Sequence, residues 1–268
     1  MNDVLYLSTT QVALSLTYLV ILILILYKKR ISREKEILMA SLRMTLQLIL
    51  TGYVLVLLFD NMHPLATLAV VFLMEFFAIQ TVIKRTKSTL SAALKKVISL
   101  SIALGTLTSL FFFMLVIIQI KPWYDPRYFI PLAGMLIGNS MTGISLGVSR
   151  LTEGMLSKRL SIETALMLGA TPQKACKEIL DHAFDSSIMP TINSMVGMGI
   201  IFLPGMMTGQ ILSGTSPLLA IKYQLAIMFG ILGSVSFSVL LFVHTGYRTF
   251  FNPDAQFLIN EQNDPHQT

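Results

Sequence analysis

Thiol chemistry is nearly absent, since Cys176 is the one cysteine in 268 residues. An intrachain disulfide framework is therefore excluded, as is a multi-cysteine zinc or iron–sulfur site. Charge is scarce too: Asp, Glu, Lys and Arg make up 13% of the chain against 54% hydrophobic residues. With a mean hydropathy of +0.70, this is not the balance of a water-soluble domain, and lipid is the solvent such a chain fits. No G-x-x-x-x-G-K-[ST] phosphate loop, G-x-S-x-G elbow or H-E-x-x-H pair occurs, so ATP hydrolysis by the common route is excluded and no enzyme is read here. The four histidines, His63, His182, His244 and His266, are too scattered for a ligand set at helical spacing. Methionine is plentiful at 16 residues; thioethers can hold soft ions, but their common use is as pliable apolar filler. No metal is assigned.

What is present is a series of long apolar runs. Spans are expected near 5–27, 37–59, 64–83, 97–120, 128–149, 188–212 and 218–245, each long enough for a hydrocarbon core of about 30 Å. The N-terminal run carries Asp3, lacks a basic leader and runs directly into Lys28-Lys29-Arg30 without a small-residue cleavage site. It is therefore read as a retained helix rather than a signal peptide. The formal charge of +6 and pI near 9.4 come from short basic clusters beside the spans, not from one face of a domain, so no nucleic-acid partner is expected. Lys28, Lys29, Arg30, Arg33 and Lys35 follow the first span; Lys84, Arg85, Lys87, Lys95 and Lys96 follow the third; Arg150, Lys158, Arg159, Lys174 and Lys177 follow the fifth. The alternate connections are nearly uncharged. The positive-inside rule then gives an all-α, polytopic protein of about seven transmembrane helices in the cell (plasma or inner) membrane, N-terminus outside and C-terminus cytoplasmic.

One connection is too long for a turn and too polar to insert. Residues 150–187 read as two cytoplasmic helices, the first over about 151–168 and stopped by Gly169, the second capped by Thr171 with Pro172 at its first position. Ala175, Ile179 and Ala183 share a face with Cys176, Leu180 and Phe184 beside it; that face either rests on the bundle or membrane surface or docks a cytoplasmic protein. Residues 1–251 form the transmembrane domain and 252–268 a polar cytoplasmic tail that frays.

Four features are candidates for chemistry. Glu75 is the one acidic residue within a span, near the midplane, and intramembrane ionisable groups are functional candidates. Arg43 is placed to snorkel to the interface, with Gln47 a turn further along the same face. The fifth span, PLAGMLIGNSMTGISLG from Pro131, carries Gly134, Gly138 and Thr142, then Gly143 and Gly147, at four-residue intervals. Such stripes serve close helix packing, while Asn139, Ser140 and Thr142 add polar groups for a pathway. In the sixth span, GMGIIFLPGMMTGQILSG from Gly197, Pro204 and Gly205 should kink or break the helix, with Met206, Met207, Thr208, Gly209 and Gln210 after the break.

The string Glu163-Thr164-Ala165-Leu166-Met167-Leu168-Gly169-Ala170, followed by Ile179, resembles the EAA-type loop with which permeases of ABC transporters contact their ATPase subunits. The terminal Leu-Pro of that pattern is replaced by Asp181 and His182, with proline delayed to Pro190, which argues against an ordinary importer permease. Together with LGATPQKA, LPGMMTGQILSG and PLLAIKYQ, the chain is similar to the FetB-type permeases of iron-export ABC transporters, a family with plant relatives linked to aluminium tolerance. The resemblance implies a permease that pairs with a second copy of itself and with a separate, FetA-like ATPase. It also implies no cofactor on this chain, ATP being held by the partner. Docking would fall on Glu163, Ala165, Leu168, Gly169, Ala170 and Thr171, and translocation on Glu75, Asn139, Pro204, Gly205, Met206, Met207 and Gln210. The implied cargo is a metal ion such as iron. Two other readings share the topology. A seven-helix receptor or retinal protein is disfavoured because Lys222 stands at the outer end of the last helix. A proton-coupled secondary transporter working through Glu75 lacks the internal repeat common in that class.

Overall fold

The computed structural model describes residues 8–86 and 90–258. Among these, chain order gives α1 (Thr9–Lys29), α2 (Glu34–Asp60), α3 (Pro64–Arg85), α4 (Ala92–Phe112) with a π turn over Phe113–Ile118, α5 (Pro126–Ser157), α6 (Arg159–Met167), α7 (Pro172–Ala175), α8 (Lys177–Gly197), α9 (Gly205–Leu212) and α10 (Pro217–Gly246). No strand forms among the described residues, only two isolated bridges. The helix starts follow local chemistry: Ser8 and Gln11 make a reciprocal capping box, Ser91 and Ser216 accept from the third helical amide, and prolines open α3, α5, α7 and α10.

Six helices among the described residues are long and apolar enough to cross a membrane: α1, α2, α3, α4 with its π turn, α5 and α10. Each matches one expected span. The remaining expected span, 188–212, is divided between the second half of α8 and the short α9, with non-helical chain from Met198 to Pro204. Of the seven expected crossings, six are therefore single membrane-length helices among the described residues, and the seventh expected span is a broken segment with no helix of that length.

Burial sorts these helices into two groups. Helices α3, α4, α5, α8 and α10 share one core, with Ile98, Ile102, Phe113, Phe129, Leu136, Ile144 and Phe242 fully enclosed. By contrast, α1 buries no residue and α2 only Leu58. Small residues let the core helices cross closely. A Cβ on Gly105 of α4 would sit 2.6 Å from the Ser238 Cα of α10, and one on Gly154 of α5 would sit 2.5 Å from Ile179 Cγ2 of α8. Of the small-residue stripe on α5, Gly143 and Gly147 take this role against α8 and α10, whereas Gly138 has nothing within 4 Å.

Helix α5 is 32 residues long, about 48 Å at 1.5 Å per residue, so its last turns stand beyond a hydrocarbon core of about 30 Å. The separate helix expected over 151–168 is in fact the end of α5 plus α6, divided at Lys158. At the opposite end, Trp123 sits among Phe111, Tyr124 and Phe129, with ring centroids 5.7–6.4 Å away. The C-terminal segment is held further than expected: Leu258 N–H donates to the Phe250 carbonyl at 2.8 Å, and Phe257 packs edge-on to Phe251. The rest of the expected tail, 259–268, lies outside the described residues.

Candidate functional site

At the basic end of the bundle, α6 and α7 form a short hairpin between α5 and α8. Its turn is set by Gly169, whose φ of +87° is the left-handed conformation that a side chain resists. Gly169 N–H donates to Leu166 O and Ala170 N–H to Ala165 O, both at 2.9 Å, which closes the end of α6 in a Schellman motif. Thr171 then accepts from Lys174 N–H and caps α7. The chain is thereby turned so sharply that the last residues of α6 have no protein against them, and Met167 is 86% and Leu168 84% exposed.

The root of the hairpin is the reverse. Ile162, Cys176, Ile179 and Leu180 are buried, Cys176 Sγ lies 3.7 Å from Met155 Sδ, and Ile179 fills the space left by Gly154. The face carrying Ile179 and Ala183, open between two fates in the sequence, therefore packs on the bundle. Burial pushes the Cys176 thiol up to about 11. On the rim, Lys158 bonds Glu178 at 2.6 Å and Arg159 bonds Glu163 at 2.8 Å. The hydrogen bond and charge of Lys158 hold the Glu178 carboxyl below its ordinary value. Of the expected docking residues, Glu163, Ala165, Leu168, Gly169, Ala170 and Thr171 all fall on this hairpin.

The expected pathway residues do not come together in one place. Glu75 is buried between α3 and α4, where Thr106 Oγ1 lies 3.0 and 2.9 Å from its two oxygens and 2.8 Å from Ile102 O. Thr106 has one hydroxyl proton for these acceptors. That one proton is shared among the two Glu75 oxygens and the Ile102 carbonyl, so Thr106 is the side chain that links α3 to α4 here. Asn139 points away from this core, exposed, with its amide on Met135 O at 2.7 Å. Its neighbour Ser140 faces inward and pairs with Ser234 of α10 at 3.0 Å.

Along the outer face of α5, however, Asn139, Thr142, Ser145 and Ser149 follow at intervals of three, three and four, which places them in one line. Asn139, Thr142 and Ser149 are exposed, and Ser145 Oγ has no partner among the described residues. Of the polar groups expected on this span, Asn139 and Thr142 belong to the line and Ser140 does not; the same spacing carried past Gly147 reaches Ser149. Thr106, Ser234 and Ser145 went unnoticed because single Ser and Thr residues are common in apolar helices.

At the break, Gly199 adopts φ +85° and Pro204 is the residue preceding α9, so the interruption spans seven residues rather than a kink at one. Ile200 and Ile201 are 92% and 80% exposed. Met207 is buried and Met206 packs on the core, while Gln210 Oε1 is buried without a partner among the described residues. Gly205 and Gly209, four residues apart on α9, have nothing within 4 Å in the chain itself. Gln224 Nε2 reaches Met198 Sδ at 3.7 Å and ties the start of the break to α10. Among the described residues no three His, Cys, Asp or Glu side chains converge as metal ligands.

The model for an uncharacterised protein family, UPF0014, matches residues 9–251. A UPF0014 membrane protein of Synechocystis is 40% identical over 84% of this chain and 86% of its own length. The probable iron export permease protein FetB of Escherichia coli is 32% identical over 95% and 96%, and the protein ALUMINUM SENSITIVE 3 of Arabidopsis thaliana 33% identical over 91% and 88%. No solved structure matches the chain.

Proposed function

The chain belongs to the UPF0014 family, and on that premise we propose that it is the membrane-spanning subunit of an ABC transporter, exporting a metal ion such as iron with energy from a separate ATPase. The observation that carries this reading is the hairpin, with an exposed apolar tip at Met167 and Leu168 on a root locked into the core. Such a tip suits a cleft on a soluble partner, and such a root passes force on rather than absorbing it.

On this reading the partner ATPase holds the nucleotide and this chain holds no cofactor. The basic ends of α1, α3 and α5 face the cytoplasm, which puts the hairpin on the side where ATP is available. When two ATPase subunits close on ATP, they push the hairpin. Helix α8 follows α7 directly and packs on α5 and α10, so it carries the displacement toward the break at 198–204. That break separates α8 from α9 and allows them to move unequally, so the bundle can alternate between openings to the two sides.

A homodimer supplies what a single copy leaves uncovered. The polar line Asn139–Ser149 on α5 and the irregular, exposed Ile200–Leu203 suit a surface facing a second copy across a hydrated path, because non-helical backbone at membrane depth needs protein or water against it. Asn139, Pro204, Gly205, Met206, Met207 and Gln210 would border that path. Glu75 lies behind it and would act on it through α3 and α4.

The test is co-expression with a FetA-like ATPase from the same organism, purification of the complex, and assay in liposomes. The expected result is association through this chain, metal-stimulated and vanadate-sensitive ATP hydrolysis, and metal export. Failure of any ATPase to associate, with transport driven by a proton gradient alone, would transfer the function to a secondary transporter.

A further inference from the structure

Between α2 and α3, at the basic end, lies a groove of about 460 Å³ outside the machinery described above. Three cations line it: Arg43 from α2, and Lys84 and Arg85 from the end of α3. Gln80 and Thr81 add polar atoms, and Phe76 and Phe77 form the deeper wall. Lys84 is seven residues beyond Phe77, about 10 Å along a helix. The groove is therefore cationic at one end and aromatic at the other.

None of the three cations belongs to an ion pair among the described residues. The one acid on α3, Glu75, points to α4 and is engaged by Thr106. Arg43 lies six residues past the start of the apolar run at residue 37, about 9 Å along the axis, with the uncharged polar residues Ser41, Thr45 and Gln47 near it on α2. A guanidinium at that depth needs an anion or a route to water. The groove opens sideways, because α2 leans on the core through little more than Leu58, and Phe76 and Phe77 are about half exposed.

We propose that this groove binds an anionic phospholipid, its phosphate held by Arg43, Lys84 and Arg85 and its acyl chain lying along Phe76 and Phe77. A free phosphate would satisfy the cations but leave the aromatic wall unused. A zwitterionic lipid would bring its own cation to a site that already has three. The lipid would also fill the gap between α2 and the core, and so join the loosely packed α1–α2 pair to the rest of the bundle.

The experiment uses the full-length protein in micelles containing equal amounts of phosphatidylglycerol and phosphatidylcholine with the same acyl chains, with retained lipid read by native mass spectrometry. Phosphatidylglycerol is expected to remain bound under conditions that strip phosphatidylcholine. Arg43→Gln and Lys84→Gln should each lower that preference about fivefold. Arg43→Lys should keep it, and so should Lys28→Gln combined with Lys29→Gln, which removes basic charge outside the groove. Excess inorganic phosphate should not displace the lipid. Equal retention of the two lipids, equal loss in the Lys28/Lys29 variant, or release by phosphate would each overturn the proposal. So would an Arg43→Glu variant that dissociates a dimer without changing lipid retention, since the groove would then be a contact between copies. None of these outcomes depends on an ATPase partner or on transport.

Discussion

Replacing Leu168 by alanine isolates the hairpin tip from every other part of the molecule. The change removes roughly three carbon groups, worth about 2.4 kcal/mol if all were withdrawn from water. Since 84% of the residue is exposed in the free chain, about 2 kcal/mol of that remains to be gained on docking. Losing it weakens the ATPase complex roughly 30-fold. The same exposure means the fold gains little from this side chain, so stability should change by less than about 0.5 kcal/mol. The assay is a titration of labelled ATPase onto the permease in nanodiscs, with thermal unfolding measured in parallel. A weaker complex at unchanged melting temperature is the expected pair of results. An unchanged affinity would remove the tip from the interface; a lowered melting temperature would show that Leu168 packs in the free protein and that the hairpin is not the bare structure described.

Three further outcomes follow from the core. Gly105→Ala places a Cβ 2.6 Å from the Ser238 Cα and should cost about 1–3 kcal/mol of stability, whereas Gly138→Ala, with nothing within 4 Å, should be neutral or slightly stabilising; equal effects in a denaturant titration would contradict the α4–α10 crossing. Glu75→Gln keeps an acceptor for Thr106 and should leave melting intact while slowing export, and Thr106→Val should cost about 1–3 kcal/mol; normal export by Glu75→Gln would leave that residue a purely structural link. The Cys176 thiol, raised to about 11 from an ordinary 9.0, should resist maleimide at neutral pH. Because the unfolded chain releases this proton first, the thiol's contribution is complete below 9.0 and is lost as pH rises towards 11. Cys176→Ala should flatten the stability decline in that window, and an unchanged decline would place its cause elsewhere.

The spans were legible because an 18- to 25-residue apolar run has few alternatives in a folded chain. The caps at Thr171, Pro172 and Gly169 were legible because their chemistry is local. The break was anticipated at Pro204 but begins at Met198: proline disfavours the helical region for Leu203 before it, and the left-handed Gly199 turns the chain before that restriction is reached. What could not be read were pairings distant in sequence, such as Glu75 with Thr106 and Ser140 with Ser234. Periodicity states which face of a helix is apolar, not which helix it meets. The same limit hid the loose packing of α1 and α2, whose composition matches that of the buried helices.

Trp123, enclosed by Phe111, Tyr124 and Phe129 at the end of α5 remote from the hairpin, is the one tryptophan in the chain. Its emission comes from a single place, without labelling or mutation. Loosening of that aromatic nest would shift its colour, and collisional quenchers added from one side of a vesicle would report which compartment it faces. Pushing on the hairpin at one end and watching fluorescence at the other would time the signal's passage through the bundle in the unmodified protein.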